Sequence, residues 1–359
     1  MNDIVLELPP RRGNPRNSEA AFATLSDGRV LMVWSRFEGG RGDNDAATLA
    51  ARVSIDQGRT WSEEDRIVLR DPAALNVMSP SLVRAADGHL DLYYLRTMGF
   101  HDSRLHRIRS SDEGASWSEP VCLFPAPGYF VVNNDRLLRT ASGRLVAPAA
   151  FHRLRGADPL SVKSFDPRGI ALFYLSDDDG ASWREARQWW TLNEPDTDSG
   201  LQEPGVVELE AGHLFAWCRT DRGTQYGLDS ADDGETWTRP YPTGFESPCS
   251  PLSIKRLPGG ELLAVWNDHS GRFDTPEPMP ESWGRTPLVS AISRDKGRSW
   301  ENHRLLEDDP GHGYCYIAIH ATEDRHVLLA YSAGGGEQGY VLDTLRVRRL
   351  ALEYLLKTP

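Results

Sequence analysis

The stretch Ser110–Trp117, SSDEGASW, has the form Ser-x-Asp-x-Gly-x-x-Trp, and the chain carries that form four more times. The other copies are Ser54–Trp61 (SIDQGRTW), Ser176–Trp183 (SDDDGASW), Ser230–Trp237 (SADDGETW) and Ser293–Trp300 (SRDKGRSW), at intervals of 54 to 66 residues. Self-similarity at such a period marks a repeat architecture. The residue types spell a hairpin turn: Ser and Asp side chains bond nearby backbone N–H groups, and Gly takes the φ > 0 position. Trp then turns back against a neighbouring sheet with its N–H near a polar edge.

Between the octapeptides runs a second series of turns, each followed by an apolar strand. Its members are SDGRVLMVW from Ser26, ADGHLDLYY from Ala86, ASGRLVAPA from Ala141, EAGHLFAWC from Glu210, PGGELLAVW from Pro258 and EDRHVLLAY from Glu323. Turn punctuation flanked by β-branched and aromatic residues reads as strand–turn–strand. The two series alternate strictly, so each unit holds four strands. Six such units predict an all-β fold, a six-bladed β-propeller of four-stranded antiparallel blades, with residues 1–359 as a single domain. The sixth unit lacks an octapeptide, and Ile4–Leu8 is the candidate strand to complete it.

Composition excludes several other classes. Of 359 residues, 39% are hydrophobic and 26% charged, with 11 each of Trp, Tyr and Phe, which suits a packed globular chain rather than a disordered one. No apolar run approaches a membrane span. A net charge of −12 argues against a nucleic-acid partner. No secretory signal is visible at the start, and Cys122, Cys218, Cys249 and Cys315 are scattered with no CxxC. They read as free thiols in a reducing cytoplasm, not as a zinc site. The pairs His101-Asp102 and Asp268-His269 match no named metal spacing. The sequence leaves the oligomeric state open.

Strand parity sorts the chain onto two faces. Both series of turns fall on one face. The starts of the inner strands and the long loops after each second strand fall on the other. There the blades offer Arg16, Glu19, Arg36, Asp43, Asp45, Asn133, Asn134, Asp135, Arg136, His152, Glu203, Arg219, Asp268, Arg285, Tyr314 and Tyr316. Arginines and carboxylates converging on one mouth suggest an anion-recognising pocket. The run NNDR from Asn133 is costly at the start of an inner strand unless something satisfies it, so Asp135 or Arg136 is expected to bind substrate hydroxyls.

On these motifs the chain resembles the sialidase (neuraminidase) superfamily, and the octapeptides look like its Asp-boxes. The likeness covers nearly the whole chain. Asp-boxes argue fold rather than function. The stretch from Trp34 to Trp61 is similar to one in which sialidases hold a pocket arginine and an acidic loop. That implies Arg36 as the arginine and Asp45 or Asp43 as general acid/base, Asp45 preferred. QEPGVVEL from Gln202 resembles Asn-Glu-x-x-Val-Val-Glu-Leu and implies Glu203 as the base that activates the nucleophile. Arg219 and Arg285 match members of an arginine triad. GYCYIAI from Gly313 resembles the motif of the nucleophilic tyrosine, Tyr316 with Tyr314 as substitute. The family's Arg-Ile-Pro is replaced by NPRNSEAAF from Asn14, which puts Ser18 at the arginine's position, with Arg16 able to reach in and Glu19 as an added acid.

The resemblance implies an exo-acting glycoside hydrolase that removes a terminal acidic sugar, without a cofactor. A carboxylate on the anomeric carbon would repel an Asp or Glu nucleophile, and sialidases use tyrosine. Two other readings stand beside it: a hydrolase or lyase for another acidic sugar, uronic or ulosonic, and a non-catalytic propeller that binds glycan or protein.

Overall fold

A computed structural model describes residues 3–337 and 339–358. Six antiparallel units follow one another around a ring. The first holds Arg16–Thr24, Val30–Phe37, Ala47–Ser54 and Arg66–Leu69, and the second Asn76–Arg84, Leu90–Gly99, Asp102–Ser110 and Val121–Cys122. In the third, the innermost strand is broken into Tyr129–Val131 and Leu138–Arg139, followed by Leu145–His152, Ile170–Ser176 and Arg184–Glu185. The fourth runs from Gln202–Glu210 out to Tyr241–Glu246, and the fifth from Ser253–Arg256 out to Glu301–Glu307. The sixth starts at Cys315–Ala321 and is completed by Ile4–Leu8, which pairs antiparallel with Leu345–Ala351. Chain start and chain end thus share one blade, and the inner strands of blades 1 and 6 touch. That is how the ring shuts.

The apolar core is divided the same way. Among the described residues one hydrophobic seam lies between each pair of adjacent blades: Leu31, Val33 and Leu92 between the first and second, for example, and Leu263, Ile292 and Leu329 between the fifth and sixth. Strands buried on both faces explain the near-continuous apolar runs such as VLMVW, since each blade packs against two neighbours.

The octapeptides sit where parity places them, and their geometry is nearly constant. In the second blade Ser110 Oγ donates to Asp112 Oδ1 (2.8 Å) and accepts from the Gly114 N–H (2.7 Å), and Asp112 accepts from the Ser116 N–H (2.8 Å). The glycines at the fifth position all have φ between 79° and 89°. The residue before each glycine is also left-handed, and its side chain reaches the first turn of the preceding blade. Glu113 accepts from the Ser26 N–H (3.0 Å), Asp179 from Ala86 (2.9 Å) and Asp233 from the Ser142 hydroxyl (2.6 Å), while Lys296 meets Glu210 and Gln57 accepts from Glu323 (3.0 Å). Five octapeptides therefore staple five of the six blade junctions.

Candidate active site

At the opposite mouth the inner strands begin irregularly. Glu19 (φ 55°), Ser79 (56°), Asp135 (57°), Glu203 (47°) and Tyr316 (58°) all have left-handed backbones. At four of them the ladder to the second strand slips: between Ser18 and Ala20, Met78 and Ser81, Gln202 and Gly205, and Cys315 and Ala318. Such a bulge leaves one residue unpaired and re-aims its side chain. Backbone of this kind costs about 1–3 kcal/mol per residue and persists only where the surroundings enforce it. The consequence is a single cleft of about 160 Å³ onto which Glu19, Ser79, Glu203 and Tyr316 all open.

The other walls come from neighbouring blades. Asp43 stands at the rim beside Glu19; Met78, Leu95, Thr97 and Ser103 line the second blade's side. Tyr129, Val131, Asn133, His152 and Phe165 form the third blade's side, and Gln202 and Arg219 belong to the fourth. A single parallel bridge between Ser103 and Tyr129 joins blades 2 and 3 at this point. Burial pushes the His152 imidazole down to about 4, so at neutral pH it is an uncharged wall, and its Nδ1 lies 3.1 Å from the Asp166 carbonyl. Asn133 is buried and its Nδ2 has no partner, leaving a donor for a ligand.

The fourth and sixth blades bring a carboxylate, a guanidinium and a phenol together. Tyr316 Oη donates to Glu203 Oε1 at 3.2 Å. Arg219 Nη1 lies 2.9 Å from Glu203 Oε2 and donates to Tyr316 Oη at 3.4 Å, while its Nε donates to Gln202 Oε1 at 2.9 Å. Burial first, and the Glu203 carboxylate second, push the Tyr316 phenol well above the ordinary tyrosine range, against the pull of Arg219 and Arg285. The resting phenol therefore keeps its proton and has an acceptor in place for it. Burial opposes the charge on Arg219, but Glu203 and Tyr316 more than restore it.

Arg285 approaches from the other side, its guanidinium 5.5 Å from the Tyr316 ring centre and 5.2 Å from that of Trp283. It is 6% exposed, Nη1 donates to Cys315 Sγ (3.0 Å) and Nε has no partner. Among the described residues no carboxylate forms an ion pair with it. A buried guanidinium without a counter-charge is costly, and an anionic ligand removes the cost.

Several residues read as site members lie elsewhere. Asp45 does not face the cleft: its Oδ2 accepts from the Gly42 N–H (2.7 Å) and caps the loop, so Asp43, not the preferred Asp45, stands at the rim. Arg36 pairs with Glu38 and lies 3.8 Å from Asp65, toward the outer part of its blade. Tyr314 is packed in the seam between blades 5 and 6, 6.2 Å from the ring of Tyr331. Asp135 binds the Ile319 N–H (3.0 Å) and Lys255. Arg136 donates to the Leu252 carbonyl (2.8 Å) over the Trp217 ring. Both line a second cavity with Lys255 and Trp217, and these bonds satisfy NNDR without a ligand except at Asn133 Nδ2 and Arg136 Nε. Asn134 is the strut of that group: its Nδ2 donates to the carbonyls of Ala20 (2.7 Å) and Tyr316 (3.2 Å), holding two bulged strands together. Ser79, Thr97, Ser103, Tyr129 and Phe165 were not foreseen. The one signal for Ser79 is its place nine residues before the turn glycine Gly88, the same interval as from Glu203 to Gly212.

Comparison with known proteins gives the same architecture. The family profile described as BNR repeat-like domain matches residues 28–329. The chain belongs to the BNR repeat-like family. Within it, this propeller is 25% identical over 313 residues to the anhydrosialidase of Macrobdella decora, covering 80% of this chain and 38% of that protein. The BNR-repeat chain thus spans well under half the length of that relative. The intramolecular trans-sialidase from Ruminococcus gnavus superposes with a TM-score of 0.75 at 14% identity, covering 100% of both chains. The NanB sialidase from Streptococcus pneumoniae gives 0.72 at 15% identity, over 99% of this chain and 71% of that one. At such identities the superpositions establish the propeller.

Proposed function

We propose that this BNR-repeat propeller is an exo-acting glycosidase that releases a terminal acidic sugar, a sialic acid in the first instance, through a covalent adduct on Tyr316. The observation that carries the reading is the phenol of Tyr316 hydrogen-bonded to Glu203 beside Arg219, with Arg285 buried and unpaired next to it. As the Tyr316 oxygen attacks the anomeric carbon, its proton passes to Glu203 Oε1. Asp43, at the rim, gives a proton to the departing glycosidic oxygen and then takes one from the attacking water, and the released phenolate recovers its proton from Glu203. Two inversions leave the anomeric configuration retained. Arg219 and Arg285 hold the sugar's carboxylate, which is what a neutral nucleophile tolerates and a carboxylate nucleophile would not.

Purified protein incubated with the fluorogenic α-glycoside of N-acetylneuraminic acid should release the fluorophore, and Tyr316→Phe should not. Absence of turnover by well-folded protein would contradict the sialic-acid assignment and direct the same assay to uronides and other ulosonides. Two of the similar proteins are named as an anhydrosialidase and an intramolecular trans-sialidase. This favours a second outcome, attack by one of the sugar's own hydroxyls in place of water. Proton NMR of the product separates a free sugar from an anhydro sugar.

A further inference from the structure

Arg16 occupies the region where a third substrate-binding arginine is expected, yet the protein itself takes up its hydrogen bonds. The side chain is fully buried. Its Nε donates to Ser18 Oγ (2.9 Å), Nη1 to the Arg41 carbonyl (2.9 Å) and Asp43 Oδ1 (2.7 Å), and Nη2 to Glu19 Oε1 (3.2 Å). The Phe37 ring covers its guanidinium at 4.0 Å. All three nitrogens are engaged, and two of the partners are carboxyls at different depths. Glu19 is 4% exposed, on a left-handed bulge, with Oε2 accepting from Ser79 (3.0 Å) and Ser35 (3.2 Å). The side chain of Asp43 is 58% exposed at the rim.

We propose that Arg16 is an internal bridge rather than a substrate clamp: it couples the buried carboxyl of Glu19 to Asp43, and Glu19 thereby acts as a positioning residue for the rim carboxyl. The assignment of Asp43 to proton transfer rests on the function proposed above; the coupling itself does not. One fork serving two carboxyls cannot satisfy both equally. When Glu19 is neutral, the charge of Arg16 belongs to Asp43; when Glu19 is ionised, the charge is shared and a like charge stands behind the rim. Burial foremost, and Asp43 after it, raise the Glu19 carboxyl to about 7, against Arg16, Ser79 and Ser35, so the switch falls near neutral pH. The other titratable groups that feel this cluster are the phenols of Tyr129 and Tyr340, both raised chiefly by burial and so uncharged there. Of the arginines proposed to hold the substrate's anion, this leaves Arg219 and Arg285.

The test needs no substrate. Protein labelled with ¹³C at Asp and Glu carboxyls is titrated from about pH 5 to 9 by NMR, a range that spans the raised Glu19 value. Spectra of Asp43→Asn and Glu19→Gln identify the two resonances. A carboxyl lost in Glu19→Gln should titrate near pH 7, and the Asp43 resonance should move through the same transition in the wild type and stay still in Glu19→Gln. An Asp43 resonance that ignores the transition, or moves identically in Glu19→Gln, would overturn the proposal. Should Glu19→Gln not fold, Arg16→Lys replaces it: a point charge without the fork reaches one carboxyl only, so the Asp43 resonance should no longer follow the Glu19 transition, and a resonance that still follows it would overturn the bridge. Full turnover in Asp43→Asn would instead refute the role given to Asp43 and leave the NMR result standing.

Discussion

The two faces of the ring are built from the same blades and obey opposite rules. On the octapeptide face the serine of each turn takes up the glycine N–H of the same turn, five times over with nearly the same distances, and one side chain reaches back to the preceding blade. On the mouth no two blades present the same side chain: the equivalent bulge carries Glu19, Ser79, Glu203 or Tyr316. An unpartnered amide nitrogen on Asn133 and a guanidinium on Arg285 without a carboxylate partner lie at this end. Repetition marks the face that holds the fold together. Its absence marks the face to which the proposed chemistry is assigned.

If that division is right, substitutions on the two faces should separate activity from stability. The largest effect is expected for Glu203→Gln, which keeps the shape but removes the proton acceptor of Tyr316. Its kcat should fall by about 10²–10⁴-fold with the melting temperature little changed, and a loss confined to KM would contradict the role. Next comes Arg285→Ala, which should raise KM for a carboxylate-bearing glycoside by about 10–100-fold, the worth of a charged hydrogen bond. A neutral analogue should be barely affected; equal losses on both would remove Arg285 from the anion clamp.

Ser230→Ala tests the other face. It removes the hydroxyl that accepts from the Gly234 N–H (2.9 Å) and donates to Asp232 (2.9 Å), and should cost about 1–2 kcal/mol with kcat intact. A denaturation curve and one rate measurement decide it. A fall in kcat with unchanged stability would invert the comparison.

The smallest and most specific expectation concerns pH. His152 is held near 4, below its free value, so it lowers stability as pH falls from about 6.5 to 4, where only the unfolded chain takes up the proton. Glu19 is held near 7, above its free value, so it raises stability as pH falls from about 7 to 4.5, where the fold takes up the proton first. The two offset one another in the wild type. Melting temperatures between pH 7 and 5 should rise in His152→Asn and fall in Glu19→Gln. On the octapeptide face Asp112, Asp178 and Asp295 are held at about 2, chiefly by the hydroxyls of Ser116, Ser182 and Ser299. Their contribution is complete above about 4 and is lost only as pH falls toward 2, the same in both variants.

The same contrast governs how much could be read from the chain. Turn chemistry is local, so SSDEGASW and its relatives disclose the blades, their order and, through parity, which end of each strand meets the mouth. The closing strand Ile4–Leu8 follows from counting strands. Glu203, Arg219 and Tyr316 come together because motif and parity agree on them. Parity fails two residues earlier, because a bulge shifts the side-chain alternation: Tyr314 enters a seam while Tyr316 enters the cleft. Asp43 and Asp45 are separated by loop geometry: Asp45 caps the Gly42 N–H while Asp43 turns to Arg16. The engagement of Arg16 was beyond reach, because it depends on Asp43 folding back across a distance the sequence does not encode. Tyr129 and Phe165 lie on the broken inner strand and long loop of the third blade, where no repeat guides the eye.

A bond between Tyr316 and the sugar is the central step of the proposed reaction. A glycosyl fluoride of an acidic sugar, fluorinated beside the anomeric carbon so that the adduct is released slowly, should label the protein once. After tryptic digestion the added mass should lie on the peptide from Leu305 to Arg325, at Tyr316, and should be absent in Tyr316→Phe. Label on Glu19, Asp43 or Glu203, or turnover without any adduct, would contradict it.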